Sequence, residues 1–185
     1  MMSVINKSIQ HLKNGKVILC PTDTIWGLSC DATNFSAVEK IYDIKGRSKE
    51  KSFIVLVSSL KMLMHYVEEV SLDIEKISSK YDKPVTIIYP KAKNLAKNVV
   101  AKNGSIAIRI IKDGFTKKMI EQFGKPIVST SANFSNKNTA ENFNKISEEL
   151  KVKVDYIVET DYGKKAANAS SILLIENNKI KILRE

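Results

Sequence analysis

The sequence predicts an α/β fold, a twisted sheet of mixed parallel and antiparallel strands flanked by helices. Three observations carry this. Short apolar or β-branched runs, VILC at 17–20, FIVLV at 53–57, VTIIY at 85–89 and IVST at 127–130, alternate with segments whose apolar residues recur at helical spacing. The pair SILLI and KIKIL around Asn177 and Asn178 reads as a closing hairpin, which adds antiparallel strands. The 185 residues suffice for one domain with a proper core, and the 11 Pro and Gly are spread along the chain without forming a linker. A single domain over 1–185 is expected.

Residues 3 to 13 place Ile5, Ile9 and Leu12 on one helical face, and Gly15 can close that helix. The run 17–20 fits a strand buried on both faces, and Pro21, which has no N–H, releases Thr22, Asp23 and Thr24 into a loop at the strand's C-terminal edge. Such an edge is either an ordinary turn or, as in open α/β sheets, a place for ligands. Ser36 with Glu39 has the form of a capping box ahead of the stripe Val38, Ile41 and Tyr42, and this helix ends near Lys45 and Gly46. The loop KGRSKEKS, residues 45–52, is charged at five of eight positions, a candidate phosphate clamp. After strand 53–57, helices are expected at about 59–67 and 71–80, then strands at 85–89 and 106–110.

In the second of those strands Arg109 alternates with Ile108 and Ile110, so it points away from both, at solvent or at a site. A helix over 116–123 ends in Gly124, and Pro126 precedes the strand 127–130. Ser129, Thr130, Ser131, Asn133 and Ser135 then crowd together. Phe143, Ile146 and Leu150 predict a helix over 139–150, and a strand follows near 154–158.

The formal charge of +10 and a pI near 9.5 suggest polyanionic partners, nucleotides or nucleic acid. Lysines supply 27 of the 30 basic residues and are scattered, as for general surface solvation. The three arginines, Arg47, Arg109 and Arg184, are more informative, because a planar bidentate fork is not interchangeable with an ammonium. Cys20 and Cys30 lack the paired spacing of a zinc site, and His11 and His65 leave little material for a histidine triad or metal centre. The N-terminus has no signal-peptide pattern and no run approaches the roughly 20 apolar residues of a membrane span, so a cytoplasmic protein without a membrane partner is expected.

There is no GxxxxGK[ST] loop and no GxGxxG after a strand. What remains are hydroxyl-rich loops at strand ends together with the basic loop around Arg47, a set suited to a small zwitterion beside a nucleotide. At these residues the chain resembles the YrdC-like threonylcarbamoyl-AMP synthases. PTDTIWGL at 21–28 is similar to their PT[ED]TxYGL signature, Lys45 and Arg47 to their KxR element, and Ser131 to Asn133 to their SxN element. PVTIIYP at 84–90, SIAIRI at 105–110, ASSILLI at 169–175 and the terminal ILRE extend the resemblance over nearly the whole chain, and all three arginines fall on family positions.

The resemblance implies a YrdC-like fold and an enzyme, a nucleotidyltransferase that converts L-threonine, bicarbonate and ATP into L-threonylcarbamoyl-AMP and pyrophosphate, with Mg²⁺ accompanying ATP; the sequence singles out no dedicated metal site, and Asp23 could serve Mg²⁺ or cap its loop. The product would feed, through a downstream threonylcarbamoyl transferase machinery, the modification of adenosine 37 in tRNAs that read ANN codons. Carried over by position, Thr24, Arg109, Ser129 and Ser170 resemble the threonine-binding residues. Arg47, Lys51, Ser105, Ser131, Asn133, Thr139 and Arg184 resemble the ATP-binding set, with Lys45 and Arg47 as the catalytic pair.

The chain departs from the family in four places. Lys51 stands for an Asn, Trp26 for a Tyr, Asp82 and Lys83 for a glycine-containing approach, and Leu56 for a His that contacts threonine, which implies a pocket rearranged or more apolar on one wall. Two other readings of the same fold stand beside the synthase. One is a module that binds double-stranded RNA or tRNA without turnover, favoured by the charge but not by any basic stripe with interleaved aromatics. The other is a carbamoyl-transfer domain of the hydrogenase-maturation type, disfavoured by the lack of zinc-finger and acylphosphatase-like regions.

Overall fold

A computed structural model describes residues 3–70, 74–160, 169–176 and 179–184. Nine strands form one mixed sheet in the order β7-β1-β2-β6-β3-β5-β4-β8-β9. They are β1 (Ile18–Cys20), β2 (Gly27–Asp31), β3 (Ile54–Val57), β4 (Val85–Tyr89), β5 (Ile106–Ile110), β6 (Ile127–Ser131), β7 (Tyr156–Ile157), β8 (Ser171–Glu176) and β9 (Lys179–Arg184). Three neighbouring pairs, β1/β7, β3/β5 and β4/β8, are parallel and the other five antiparallel, which is the mixed sheet expected from the sequence.

Strand alternation sorts the side chains onto two faces. One face carries Val17, Leu19, Leu28, Val55, Val128, Ile108, Ile87 and Leu173. It packs against α2 (Phe35–Lys45) and the surrounding loops as the larger core. The other carries Ile18, Cys20, Leu56 and Ile127 under α1 (Val4–Lys13) and α5 (Gly114–Phe123), whose Ile9, Leu12, Met119 and Ile120 complete a second core. This second core covers only part of its face. Beyond it, Ser129 and Ser131 of β6, Ile54 of β3, Ala107 and Arg109 of β5 and Ile172 of β8 line an open cavity.

Several expectations need correction. β2 is a strand that the sequence does not predict. Its buried Ser29 and Asp31 are polar, and Gly27 has no side chain, so the segment lacks an apolar pattern. Asn34, not Ser36, caps α2, because its side chain accepts from Ala37 N. The helix expected over 139–150 is a 3-10 turn at Phe143–Lys145 and a short α6 (Glu148–Lys151), separated by extended Ile146. Asn142 accepts from Lys145 N and so starts its own turn, which competes with a continuous helix.

The helix at 59–67 shortens to α3 (Leu60–Leu63), since Val67 bridges Ala92 as extended chain. The next one is α4 (Ile74–Ser78), and residues 71–73 of that expectation lie outside the described residues, as do Asn177 and Asn178 of the hairpin. Leu56 is fully buried beneath α1 and α5 rather than at the cavity, so no apolar pocket wall follows from it. Trp26 packs in the larger core, 4.9 Å from Phe143 between ring centres.

Candidate active site

The loop after β1 is tied down by its own hydroxyls. Thr22 Oγ1 accepts from Thr24 N and Ile25 N at 3.1 and 3.2 Å and donates to Ile25 O at 2.8 Å, and Thr116 of α5 donates to Pro21 O at 2.5 Å. This geometry aims Thr24 into the cavity. Across from it, Arg109 leaves β5 on the face opposite the larger core. Its Nη2 donates to Asp23 Oδ1 at 3.0 Å and to Thr24 Oγ1 at 3.3 Å, while Nε is buried without a hydrogen-bond partner among the described residues. Burial pulls the Arg109 pKa below its ordinary value, and Asp23 opposes that shift. Burial likewise pushes Asp23 up, against the pull of Arg109.

Gly46 at the end of α2 adopts φ +57°, and Arg47 N returns to Tyr42 O at 3.1 Å, so the chain turns sharply into the basic loop. Arg47 is then fixed by that loop's carbonyls, Nε to Lys51 O at 3.0 Å and Nη2 to Ser52 O at 2.9 Å, with its guanidinium 5.1 Å from the Phe53 ring centre. On the far side, Arg184 of β9 forks onto Ser170 O through Nε and Nη2 at 3.0 and 2.8 Å. The Ser170 hydroxyl shares a 2.8 Å hydrogen bond with Thr86. Three arginines from three distant segments thus border one cavity of about 360 Å³.

The cavity wall includes Thr24, Ser129, Thr130, Ser131, Thr139 and Ser170, and no carboxylate among the described residues that line it. Four expected residues lie elsewhere. Lys45 is buried, its Nζ donating to Ser131 O and Asn133 O at 2.6 Å each, so it clamps the end of β6 to α2. Burial, with the charge of Arg47, lowers its pKa to about 8. Asn133 turns into its own loop, donating to Phe134 O and Lys137 O. Lys51 is exposed, and Ser105 donates to Asn103 Oδ1 at 2.7 Å on the surface.

Sequence reasoning missed the floor, Ile54, Ile88, Ala107 and Ile172, whose signal was their alternation with core residues on the same strands. It also missed Gly27. A Cβ there would stand 3.1 Å from both Ser129 Oγ and Thr130 O, so glycine keeps the Ser129 hydroxyl unobstructed.

Among the described residues no group of three or more His, Cys, Asp or Glu is placed to hold a metal ion. Among the described residues the wall offers hydroxyls and no carboxylate, a donor set that does not fit a dedicated Mg²⁺ site. Cys20 and Cys30 are buried, and burial pushes the Cys20 thiol up to about 11, away from nucleophilic use. No described helix is long and apolar enough to cross a membrane.

Comparison with known proteins adds to this geometry. The Sua5, YciO and YrdC family, described as telomere recombination, matches residues 10–185. The threonylcarbamoyl-AMP synthase of Pseudoalteromonas translucida is 34% identical over 164 residues, 87% of this chain and 88% of that protein. The synthase of Photobacterium profundum is 32% identical over 165 residues, 88% and 89% of the two chains. Two solved structures share the fold. P. abyssi Sua5 complexed with L-threonine has a TM-score of 0.88 at 23% identity; the match takes in 100% of this chain but only 55% of that one. E. coli YciO has 0.83 at 22% identity, over 98% and 88%.

Proposed function

The chain belongs to the Sua5, YciO and YrdC family, and from that premise we propose that it is an L-threonylcarbamoyladenylate synthase acting on L-threonine, bicarbonate and ATP. The observation that carries the proposal is the convergence of Arg47, Arg109 and Arg184 on one hydroxyl-lined cavity with no carboxylate among the described residues that line it. Such a wall complements several negative charges at once, as an amino-acid carboxylate beside a triphosphate would present.

In this reading Arg109 takes the threonine carboxylate, with Thr24, Ser129 and Ser170 hydrogen-bonding the rest of the amino acid. Arg47, Arg184, Ser131 and Thr139 face the nucleotide. Lys45 and Asn133 shape the β6 loop and touch no ligand themselves, while Lys51 and Ser105 meet ATP only at its outer edge. The threonine amine takes up CO₂ from bicarbonate, with loss of water, to form an N-carboxylate, whose oxygen attacks the α-phosphorus of ATP in line and expels pyrophosphate. The chain's part is positioning and charge neutralisation, which needs no protein nucleophile. Mg²⁺ would arrive with the nucleotide as a counter-ion to its phosphates.

The product is an activated acyl adenylate, so its consumer must transfer the threonylcarbamoyl group, and adenosine 37 of ANN-decoding tRNAs is the proposed destination. The direct test is pyrophosphate release from ATP. It is expected only when threonine and bicarbonate are both present, and release indifferent to threonine overturns the proposal.

A further inference from the structure

Asp23 belongs to none of the roles above, yet it is the only acidic partner of Arg109 among the described residues. Both side chains are nearly dry, 5% exposed for Arg109 and 12% for Asp23. Arg109 and Thr24 line the cavity and Asp23 does not, so the carboxylate stands behind the guanidinium. It engages only Nη2, which also reaches Thr24 Oγ1. Nε is buried and bare, and no protein partner among the described residues meets Nη1. A buried guanidinium held by one carboxylate at one nitrogen keeps its Nη1 donors in hand for an incoming oxyanion, while Nε is closed off from the cavity. The Thr22 hydroxyl bonds and the Thr116 to Pro21 bond fix the loop that carries the carboxylate. Asp113 and Arg184 are the other charges felt by this pair.

We infer that Asp23 is the positioning residue of the amino-acid subsite, holding Arg109 from behind so that its free N–H groups face a substrate carboxylate. This rests on the reading of Arg109 as the threonine carboxylate's partner. Removing the charge leaves a buried cation with no acid beside it, free to turn toward solvent or toward Thr24 alone. The effect then falls on the amino acid, since Arg47 and Arg184 are anchored by backbone carbonyls and do not depend on Asp23.

The test compares Asp23→Asn, Asp23→Glu, Arg109→Ala and the Asp23→Asn/Arg109→Ala double variant in the full chain, with steady-state kinetics in threonine and in ATP and a thermal melt for each. Asp23→Asn is expected to raise KM for threonine on the order of tenfold while KM for ATP stays within about twofold. Asp23→Glu recovers part of the loss by restoring the charge, and the double variant is no worse than Arg109→Ala. Threonine-dependent native turnover with an unmoved KM in Asp23→Asn overturns the positioning role alone, as does a double variant that loses both effects additively. Native turnover that ignores threonine overturns the functional reading and the subsite with it. A variant that melts early and loses threonine and ATP affinity equally marks Asp23 as merely structural, which also overturns the inference.

Discussion

Two basic concavities share this molecule and differ in almost everything but sign. One is bordered by Arg47, Arg109 and Arg184. The other, a groove of about 540 Å³, is bordered by Lys49, Lys93, Lys97 and Lys102. The lysine groove is larger and carries more charges. Its ammonium groups, however, ride on flexible stems in water, and two are already matched by surface acids, Lys49 by Glu39 and Lys102 by Glu50. Solvated pairs of this kind contribute about 0–1 kcal/mol. Arg47 and Arg184 are held instead by backbone carbonyls and the buried Arg109 by a nearly dry carboxylate, so their unused donors are pre-oriented. Count and volume favour the groove, and preorganisation favours the cavity.

The comparison breaks most readily at Arg47. Arg47→Ala is expected to cost on the order of 3 kcal/mol of transition-state stabilisation, roughly a hundredfold in kcat/KM for ATP. Near-normal turnover would place it with the solvated lysines. Next comes Gly27→Val, which drives a Cβ against Ser129 and the Thr130 carbonyl. We expect about 1–3 kcal/mol lost in denaturant unfolding and a raised KM for threonine; an unaltered KM would show that the Ser129 hydroxyl is not used.

Lys45 sharpens the contrast between dry and solvated ammonium groups. Its pKa is about 8 in the fold against 10.5 free, so between those values the unfolded chain binds more protons. The burial penalty on its charge is fully present below pH 8 and is relieved as pH rises to about 10.5. Lys45 therefore adds a positive slope to stability across that window, which Lys45→Met should remove in pH-dependent unfolding. The smallest effect is expected at the groove. Lys93→Ala and Lys97→Ala should each change stability by no more than about 0.5 kcal/mol and leave turnover within twofold. A large loss of turnover in either would move function to the groove, and salt-sensitive RNA binding that disappears with them, without turnover, would favour the RNA-binding reading.

What could be read from the sequence follows the same division between buried and solvated chemistry. β1 lies between the two cores, and β3 and β4 set one face in the larger core and turn Ile54 and Ile88 to the cavity floor, so both faces wrote continuous apolar runs. β2 escaped notice because only Leu28 and Cys30 face the core. Its other side carries Gly27, which makes room, Ser29, which accepts from Cys20, and Asp31, which accepts from Thr33 and pairs with Lys125. The 139–150 segment had helical spacing, but the Asn142 cap and the extended Ile146 that follows its turn outweighed a stripe of three apolar residues.

At the site, the scarcity of arginine and the strand alternation at Arg109 were visible in one dimension. The inward turn of Lys45 onto two carbonyls was not, because charge alone does not say which way a side chain points. Nor was Asp23 behind Arg109, a pairing 86 residues apart in sequence that the β2–β6, β6–β3 and β3–β5 registers bring about.

The position of Arg184 on the last strand has a kinetic corollary. Thr24 lies near the start of the chain, whereas Ser170 and Arg184 join the cavity only when β8 has docked in parallel on β4 and β9 has paired behind it. Pairings of such sequence separation close large loops and are slow to form. A refolding chain should therefore regain its helical signal first and its nucleotide affinity last, and ATP added during refolding would trap the molecule at the moment the β8–β9 hairpin seats.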